Sequence, residues 1–232
     1  MKLQNLLALP RGSARTHSNT AAVEPIWLEW LALGGMLVFA TWLMGVRGVW
    51  ALLLSADPTG ITLIIIVVFS AATLWCGARS RELQRQRQAL LQPRAQATGF
   101  DSWAAEYWRG LAAAPRDSGT PLDLLMEHTH GPHGTAWWVN GIQLKLGLLG
   151  KVIGFSILAL NIGQLQNFDP AQSQELLRSL TTGLGVALLT TMVGLVGNIL
   201  LGLQLTRLDR FADLLVADCQ RAGLTLPGTA AA

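Results

Sequence analysis

The chain has 232 residues, of which 51% are hydrophobic and only 13% are charged, with a formal net charge of +3. Soluble domains usually carry about 25% charged residues, so this composition excludes an ordinary soluble protein. The charges avoid four long stretches, and an apolar run of about 18 residues or more can cross a bilayer as a helix. The sequence therefore predicts an all-α, polytopic membrane protein with four transmembrane helices.

Residues 1–24 precede the first apolar stretch and carry three basic residues among Ser, Thr and Ala. Their apolar patch, Leu6 to Leu9, is shorter than the roughly 7–15-residue core of a secretory signal, so we expect a cytoplasmic N-terminal arm. The two cysteines, Cys76 and Cys219, are too far apart in sequence to indicate a disulfide framework or a metal site.

Residues 25–77 are predicted to form a transmembrane hairpin. The first span covers residues 26–53, with tryptophans near both ends as in an interfacial aromatic belt. A turn-rich connection at residues 55–60 leads to the second span, residues 61–77. Five arginines follow between positions 79 and 94, and the positive-inside rule places this end in the cytoplasm. With two spans between them, the N-terminus is then expected in the cytoplasm as well.

Residues 78–135 are predicted to be a small cytoplasmic segment of helix and loop. Its beginning, residues 79–91, continues the second helix into water, and Trp103, Tyr107 and Trp108 recur at the spacing of a packed helix. Six Gly and Pro residues between positions 115 and 134 then predict a loop. Three histidines between residues 127 and 133 fall in this loop. Because no other ligand pattern accompanies them, we expect a solvated loop and no metal site.

The third and fourth spans are predicted at residues 136–166 and 179–206, joined by a polar connection outside the membrane. Arg207 and Arg210 follow the fourth span and predict that it ends on the cytoplasmic side. Residues 212–232 are predicted to be a short, disordered cytoplasmic tail. Both termini are therefore expected in the cytoplasm.

The last two spans differ from the first two in their share of small residues. Span three contains Gly147, Gly150 and Gly154, which allow another helix backbone to come close. In span four, small or mildly polar residues share one helical face, at Gly183, Ala187, Thr191, Gly194 and Asn198. Such a face packs against a neighbouring helix, or it lines a pore in which hydroxyl and carbonyl groups replace water around an ion. Composition alone leaves both interpretations open.

Two motifs in these spans occur in a specific order. They are Leu146-Gly-Leu-Leu-Gly-x-Val-Ile-Gly154 and, after the outer connection, Ala187-Leu-Leu-Thr-Thr-Met-Val-Gly-Leu195. Together they closely resemble the MotA/TolQ/ExbB proton-channel family over about residues 140–215. Residues 136–211 are therefore expected to form a channel domain of that kind. The four-span layout resembles the MotA branch of the family.

The resemblance implies a subunit of an ion-driven rotary motor or channel in the bacterial inner membrane. Five copies would surround a dimer of a single-span partner similar to MotB, ExbD or TolR, which supplies a protonatable Asp. Proton or sodium flow past that Asp would drive one set of subunits around the other. The sequence has no phosphate loop, nucleophile elbow or carboxylate pair, so we expect no enzyme active site, no cofactor and no nucleic-acid partner.

The resemblance also implies roles for single residues. Thr191 takes the position of the family's pore threonine, whose hydroxyl can donate to and accept from a passing water. Thr190, on a neighbouring face, is a weaker candidate, and Ala187 and Asn198 share the predicted ion pathway. The glycines of both spans are predicted to serve helix packing. Val186 stands where many relatives carry a Glu, a loss that the MotA branch shares.

Lys151 is the clearest departure from the family, because the motif has a pore-facing Thr at that position. A lysine near the centre of a span costs about 2.5–3.5 kcal/mol on insertion scales, which makes it a functional residue by default. Three interpretations stay open: Lys151 snorkels to the cytoplasmic surface, pairs with an acid of the partner or a neighbouring subunit, or forms a positive ring that gates or blocks cations. The last favours an alternative function, a non-conducting membrane scaffold that keeps the family fold. The sequence also leaves open which process is powered and whether the ion is a proton or sodium.

Overall fold

The computed structural model describes residues 26–57, 59–91, 102–113, 119–163 and 170–224. Within them it contains six helices and no strand: α1 (Ile26–Val46), α2 (Val49–Ala56), α3 (Ile61–Leu91), α4 (Trp103–Ala113), α5 (Gly119–Gly163) and α6 (Pro170–Leu224). Four of them, α1, α3, α5 and α6, are long and apolar enough to cross a membrane. The predicted all-α fold with four such helices is therefore confirmed. The predicted arm at residues 1–24 lies outside the described residues.

α5 and α6 are much longer than a bilayer requires. They have 45 and 55 residues, so at 1.5 Å per residue they extend roughly 68 Å and 82 Å, against a hydrocarbon core of about 30 Å. They pack against each other, and α3 packs against both. We call α1, residues 61–78 of α3, 136–163 of α5 and 170–206 of α6 the apolar bundle. Residues 79–91 of α3, all of α4, residues 119–135 of α5 and 207–224 of α6 form the charged bundle.

A hydrophobic core joins the four parts of the charged bundle. Its buried residues are Leu83 from α3, Ala104 and Tyr107 from α4, Leu125 from α5, and Leu208, Phe211, Ala212, Leu215, Val216 and Cys219 from α6. Two predictions are therefore wrong. The loop expected between positions 115 and 134 is helix from Gly119 onward, and the disordered tail expected from position 212 is helix as far as Leu224. Local Gly and Pro residues suggested breaks, but packing of apolar faces supplies most of a helix's stability and overrides them here.

Two other predictions for the charged bundle are confirmed. α3 continues without a break to Leu91, as expected for residues 79–91. The aromatic residues at helical spacing lie on α4, where Tyr107 is buried and the Trp108 indole donates to the Cys219 carbonyl, 3.1 Å away. This contact ties α4 to the last turns of α6. Cys76 and Cys219 are both buried free thiols.

The first span is shorter than predicted. The sequence predicts one helix over residues 26–53, but α1 ends at Val46 and the short helix α2 follows it. Gly48 lies between them with a φ of +69°, a left-handed conformation that glycine adopts without strain. The Trp50 indole then donates to the Thr41 carbonyl, 3.1 Å away, so α2 turns back toward α1. With 21 residues, roughly 32 Å, α1 alone is long enough to cross a bilayer.

Candidate functional site

α5 and α6 meet along a seam of small residues in the apolar bundle. The five glycines predicted to serve packing all lie in it: Gly147, Gly150 and Gly154 on α5, and Gly183 and Gly194 on α6. A Cβ atom added to Gly154 would lie 2.8 Å from both Ala187 N and Gly183 O. One added to Gly194 would lie 2.8 Å from Gln143 O. The two backbones are therefore in direct contact, as small-xxx-small faces allow in membranes.

Two of the predicted pathway residues, Ala187 and Thr190, are fully buried inside this seam. Ala187 packs against Gly154, and the Thr190 side chain fills the space above Gly150. The Thr190 hydroxyl donates within its own helix, to the Val186 carbonyl 2.8 Å away. Neither residue has a free surface in a single chain, so lining a pore would require α5 and α6 to separate there.

The other two pathway residues on α6, Thr191 and Asn198, lie half-buried at the edge of the seam. The Thr191 hydroxyl donates to the Ala187 carbonyl at 2.7 Å and lies 3.3 Å from the Gly147 carbonyl of α5. Asn198 Nδ2 donates to the Asn140 carbonyl, 2.9 Å away. Both side chains hold α6 to α5 and keep part of their surface free. Whether Thr191 and Asn198 line an ion pathway depends on what covers that free surface, so their role stays a prediction.

Lys151 lies beside the seam on a surface that faces away from α3. We call this surface the open flank and define it by Leu144, Leu148, Lys151 and Phe155 on α5 and Leu184, Leu188, Thr191 and Leu195 on α6. Both sets follow the same helical spacing, and all are exposed except the half-buried Thr191. Thr191 lies against Gly147 and Thr190 against Gly150, so Lys151 and Thr191 lie within about one helical turn of each other along the seam. They are the two polar side chains of an otherwise apolar flank.

Lys151 is deep in the apolar bundle. It lies 14 residues after Trp137 and 12 before Gly163, roughly 21 Å and 18 Å along the helix. Its side chain is exposed, and within the described residues it forms no ion pair. No Asp or Glu occurs in residues 128–168 or 176–208. No acid of α5 or α6 therefore lies at the depth of Lys151.

Three buried amides that the sequence did not lead us to expect lie nearer the charged bundle. Asn140 and Gln143 lie in the same seam, and Gln204 contacts α3. Asn140, Gln143 and Gln204 are 5%, 0% and 6% exposed. Gln143 lies against Gly197, and Gln204 Nε2 donates to Thr73 Oγ1 of α3 at 3.2 Å. The spacing of the sequence could have predicted the two amides of α5, because residues 140, 143, 147, 150 and 154 share one helical face. The two amides of α5 therefore belong to its glycine face.

The three histidines before the third span lie on α5, so the predicted solvated loop is wrong. His133 Nδ1 is 2.6 Å from Asp209 Oδ1, and the Trp137 indole donates to the second oxygen of Asp209 at 2.8 Å. His130 Nε2 is 3.0 Å from Asp213 Oδ1. These contacts join α5 to α6 where the two bundles meet. Across the described ranges, no group of three or more His, Cys, Asp or Glu side chains could hold a metal ion.

Pro132 lies inside α5 and removes one backbone hydrogen bond from it. Its nitrogen has no hydrogen to donate to the His128 carbonyl one turn earlier. Arg79 of α3 supplies the missing donor, because its guanidinium donates to the His128 carbonyl and to the Thr129 carbonyl, the latter at 3.1 Å. The guanidinium also lies 5.1 Å from the centroid of the Trp103 ring. A contact between helices thus allows α5 to continue through a proline.

Comparisons with protein-family models, with curated proteins and with solved structures give no match for this chain. The resemblance to the MotA/TolQ/ExbB family therefore rests on the two motifs of the third and fourth spans. A function based on it is a proposal.

Proposed function

We propose that the chain is the membrane-embedded subunit of a motor or channel driven by an ion-motive force. The observation that carries this proposal is that two positions of the family motifs, Lys151 and Thr191, lie on the open flank within about one helical turn of each other. In the proposed assembly, five copies in the bacterial inner membrane surround a dimer of a single-span partner with a protonatable Asp. The open flank faces the partner helices, and ions bind to that Asp and leave it as the subunits turn.

The chemistry of the open flank suits such a partner. A charged lysine in contact with hydrocarbon is costly, and neither α5 nor α6 has an acid at that depth, so a carboxylate on a partner helix would lower the cost. The Thr191 hydroxyl uses its hydrogen on the Ala187 carbonyl. Its oxygen keeps the capacity to accept a hydrogen bond from water or from a protonated carboxyl group.

The orientation in the proposal follows from the basic residues. Arginines crowd the end of the apolar bundle at residues 79–87 of α3 and 207–210 of α6, and the opposite end has few. The positive-inside rule then places the charged bundle and both termini in the cytoplasm. A reagent that labels the charged bundle only after the membrane is opened would support this orientation in intact cells.

Ion flux through the chain reconstituted with its partner tests the proposal. If Thr191 stabilises the passing proton by one hydrogen bond, worth about 1.4 kcal/mol, Thr191→Val should lower the flux about tenfold. The matched control is Thr206→Val, because Thr206 is an exposed threonine on the same helix that also donates to its own backbone. Full flux in Thr191→Val would contradict the proposal, as would a complex without five copies in native mass spectrometry.

The second candidate function, a non-conducting scaffold, is favoured by one observation, the position of Lys151 on the open flank. Lys151→Thr restores the residue type of the family motif, Lys151→Ala removes the charge, and Lys145→Ala is the control on the same helix. A conducting subunit should change its flux in both Lys151 variants and keep it in the Lys145 variant. A scaffold should assemble with its partner and show no flux in any of the three.

A further inference from the structure

Three buried amides of the apolar bundle have polar atoms without a partner among the described residues. These atoms are Asn140 Oδ1, Gln143 Oε1 and Nε2, and Gln204 Oε1. All three side chains are more than nine-tenths buried. An unpaired amide inside a membrane is costly, because no lipid group there can replace the lost hydrogen bond. These side chains are therefore expected to bind a ligand, and their chemistry limits what it can be.

The unpaired atoms are three carbonyl oxygens and one amide nitrogen, so the ligand must both donate and accept hydrogen bonds. Water does both, and a buried water usually forms about three hydrogen bonds with such groups. A bare cation fits less well, because it would meet the amide nitrogen and find no carboxylate in residues 128–168 or 176–208. Water is the ligand that matches the whole set.

Gly202 is the place where we expect water to reach Asn140. A Cβ atom at this position would lie 3.4 Å from Asn140 Nδ2, and Gly202 is only half-buried. α6 thus has no side chain that covers Asn140 from this side. Asn198, one turn away at the edge of the open flank, donates to the Asn140 carbonyl. Polar groups therefore lead from the open flank inward to Gln143.

The seam is polar at one end only. Gln143 lies six residues after Trp137 and Gln204 three before Arg207, roughly 9 Å and 5 Å along their helices. Beyond Gln143, toward Gly154 and the end of α5, no described side chain of α5 or α6 has an unpaired buried polar atom. Water is therefore expected near the charged bundle and not through the whole seam.

We propose that Asn140 and Gln143 bind water in a cleft that opens beside Gly202 and ends where Gly147 meets Thr190. The proposal deepens the proposed function, because in a motor the cleft would form the half of the ion path nearer the charged bundle. That role rests on the proposed function. The hydration of the amides does not depend on it.

Thiol labelling of the full chain tests the hydration directly. Cys76 and Cys219 are first replaced by Ala, and one cysteine is then introduced as Gln143→Cys or, for the control, as Ala187→Cys. Both positions are fully buried in the same seam. The probe is a charged methanethiosulfonate, whose sulfur is attacked by the cysteine thiolate. A disulfide forms, methanesulfinate leaves with the electrons of the broken sulfur–sulfur bond, and the thiol proton goes to water.

We expect Gln143→Cys in liposomes to react about tenfold faster than Ala187→Cys, because the reactive thiolate forms where water reaches the sulfur. Adding Gly202→Leu, which covers Asn140, should return the rate to that of Ala187→Cys. Equal slow rates at positions 143 and 187, or a fast rate that Gly202→Leu leaves unchanged, would overturn the proposal. If Gln143→Cys does not fold, Asn140→Cys replaces it with the same expected results.

The labelling needs neither a partner nor an ion gradient, so it separates the two proposals. Fast labelling in a chain that supports no ion flux contradicts the motor and supports the cleft. Ion flux in a chain whose position 143 does not react supports the motor and contradicts the cleft.

Discussion

The charged and apolar bundles are built from the same long helices but are held together in different ways. In the charged bundle, large side chains fill a shared core, and charged groups join its helices, as Arg87 of α3 does with Asp218 of α6 at 3.1 Å. In the apolar bundle, α5 and α6 touch backbone to backbone at glycines. Large apolar side chains there stay exposed, including Leu188 at 59% and Met192 at 62%.

This difference indicates where stability and function are located. The charged bundle closes its core with residues of one chain and holds α5 and α6 at one end. The apolar bundle leaves Lys151 and Thr191 on a surface that the described residues do not cover. We therefore expect most of the self-contained stability to come from the charged bundle, and the proposed ion-related function would depend on the apolar bundle. Substitutions in the two regions should act accordingly.

The largest expected effect is a cavity in the charged bundle. Leu215 is 1% exposed within its core, so Leu215→Ala should lower the free energy of unfolding by about 2–5 kcal/mol. The adjacent Leu214 is 43% exposed, and Leu214→Ala should change the free energy of unfolding by less than about 0.5 kcal/mol. Chemical denaturation in detergent measures both. Equal effects at the two positions would mean that residues 212–224 do not form the core described above.

The second-largest effect is expected where α5 and α6 come into contact in the seam of the apolar bundle. A methyl group at Gly154 meets backbone atoms of α6 that cannot move aside easily, so Gly154→Ala should destabilise the protein by about 1–3 kcal/mol. Gly141 lies on the same helix with open space around its Cβ position, and Gly141→Ala should be neutral or stabilising by up to about 1 kcal/mol. If thermal unfolding in detergent does not distinguish the two variants, the close approach of α5 and α6 is absent in the folded protein.

The sequence predicted the apolar bundle better than the charged bundle, for a physical reason. Charge-free runs and the face shared by Gly147, Gly150 and Gly154 are local patterns, and membrane helices satisfy their backbones locally. The helix through Pro132 depends on Arg79, which lies 53 positions away in sequence, and no local pattern shows that contact. Lys151 is exposed and forms no ion pair with the described residues, so neither its sequence position nor the fold of a single chain determines its role.

The third effect is an energetic coupling between Arg79 of α3 and Pro132 of α5. Arg79→Leu should leave the His128 carbonyl unpaired and destabilise the protein by about 1–3 kcal/mol. Pro132→Ala restores a backbone hydrogen for the same carbonyl, so Arg79→Leu should cost less in that background. A double-mutant cycle of unfolding free energies should give a coupling of about 0.5–3 kcal/mol. Additive effects of the two substitutions would show that Arg79 does not compensate for the proline.

The smallest effect lies at the other end of the apolar bundle, in the connection before α3. Burial raises the pKa of the Asp57 carboxyl, but hydrogen bonds from Thr59 and from the Thr62 amide, the latter at 2.7 Å, outweigh it and hold the pKa below its usual 3.8. A depressed pKa stabilises the fold fully above the unfolded value, and this contribution is lost as the pH falls through the folded value. Melting temperatures should therefore decline more below pH 3.8 in the parent chain than in Asp57→Asn, whose amide does not titrate. The other carboxylates are the same in both proteins, so their titration affects both equally. Parallel curves of melting temperature against pH would therefore show that the hydrogen bonds of Asp57 do not stabilise the start of α3.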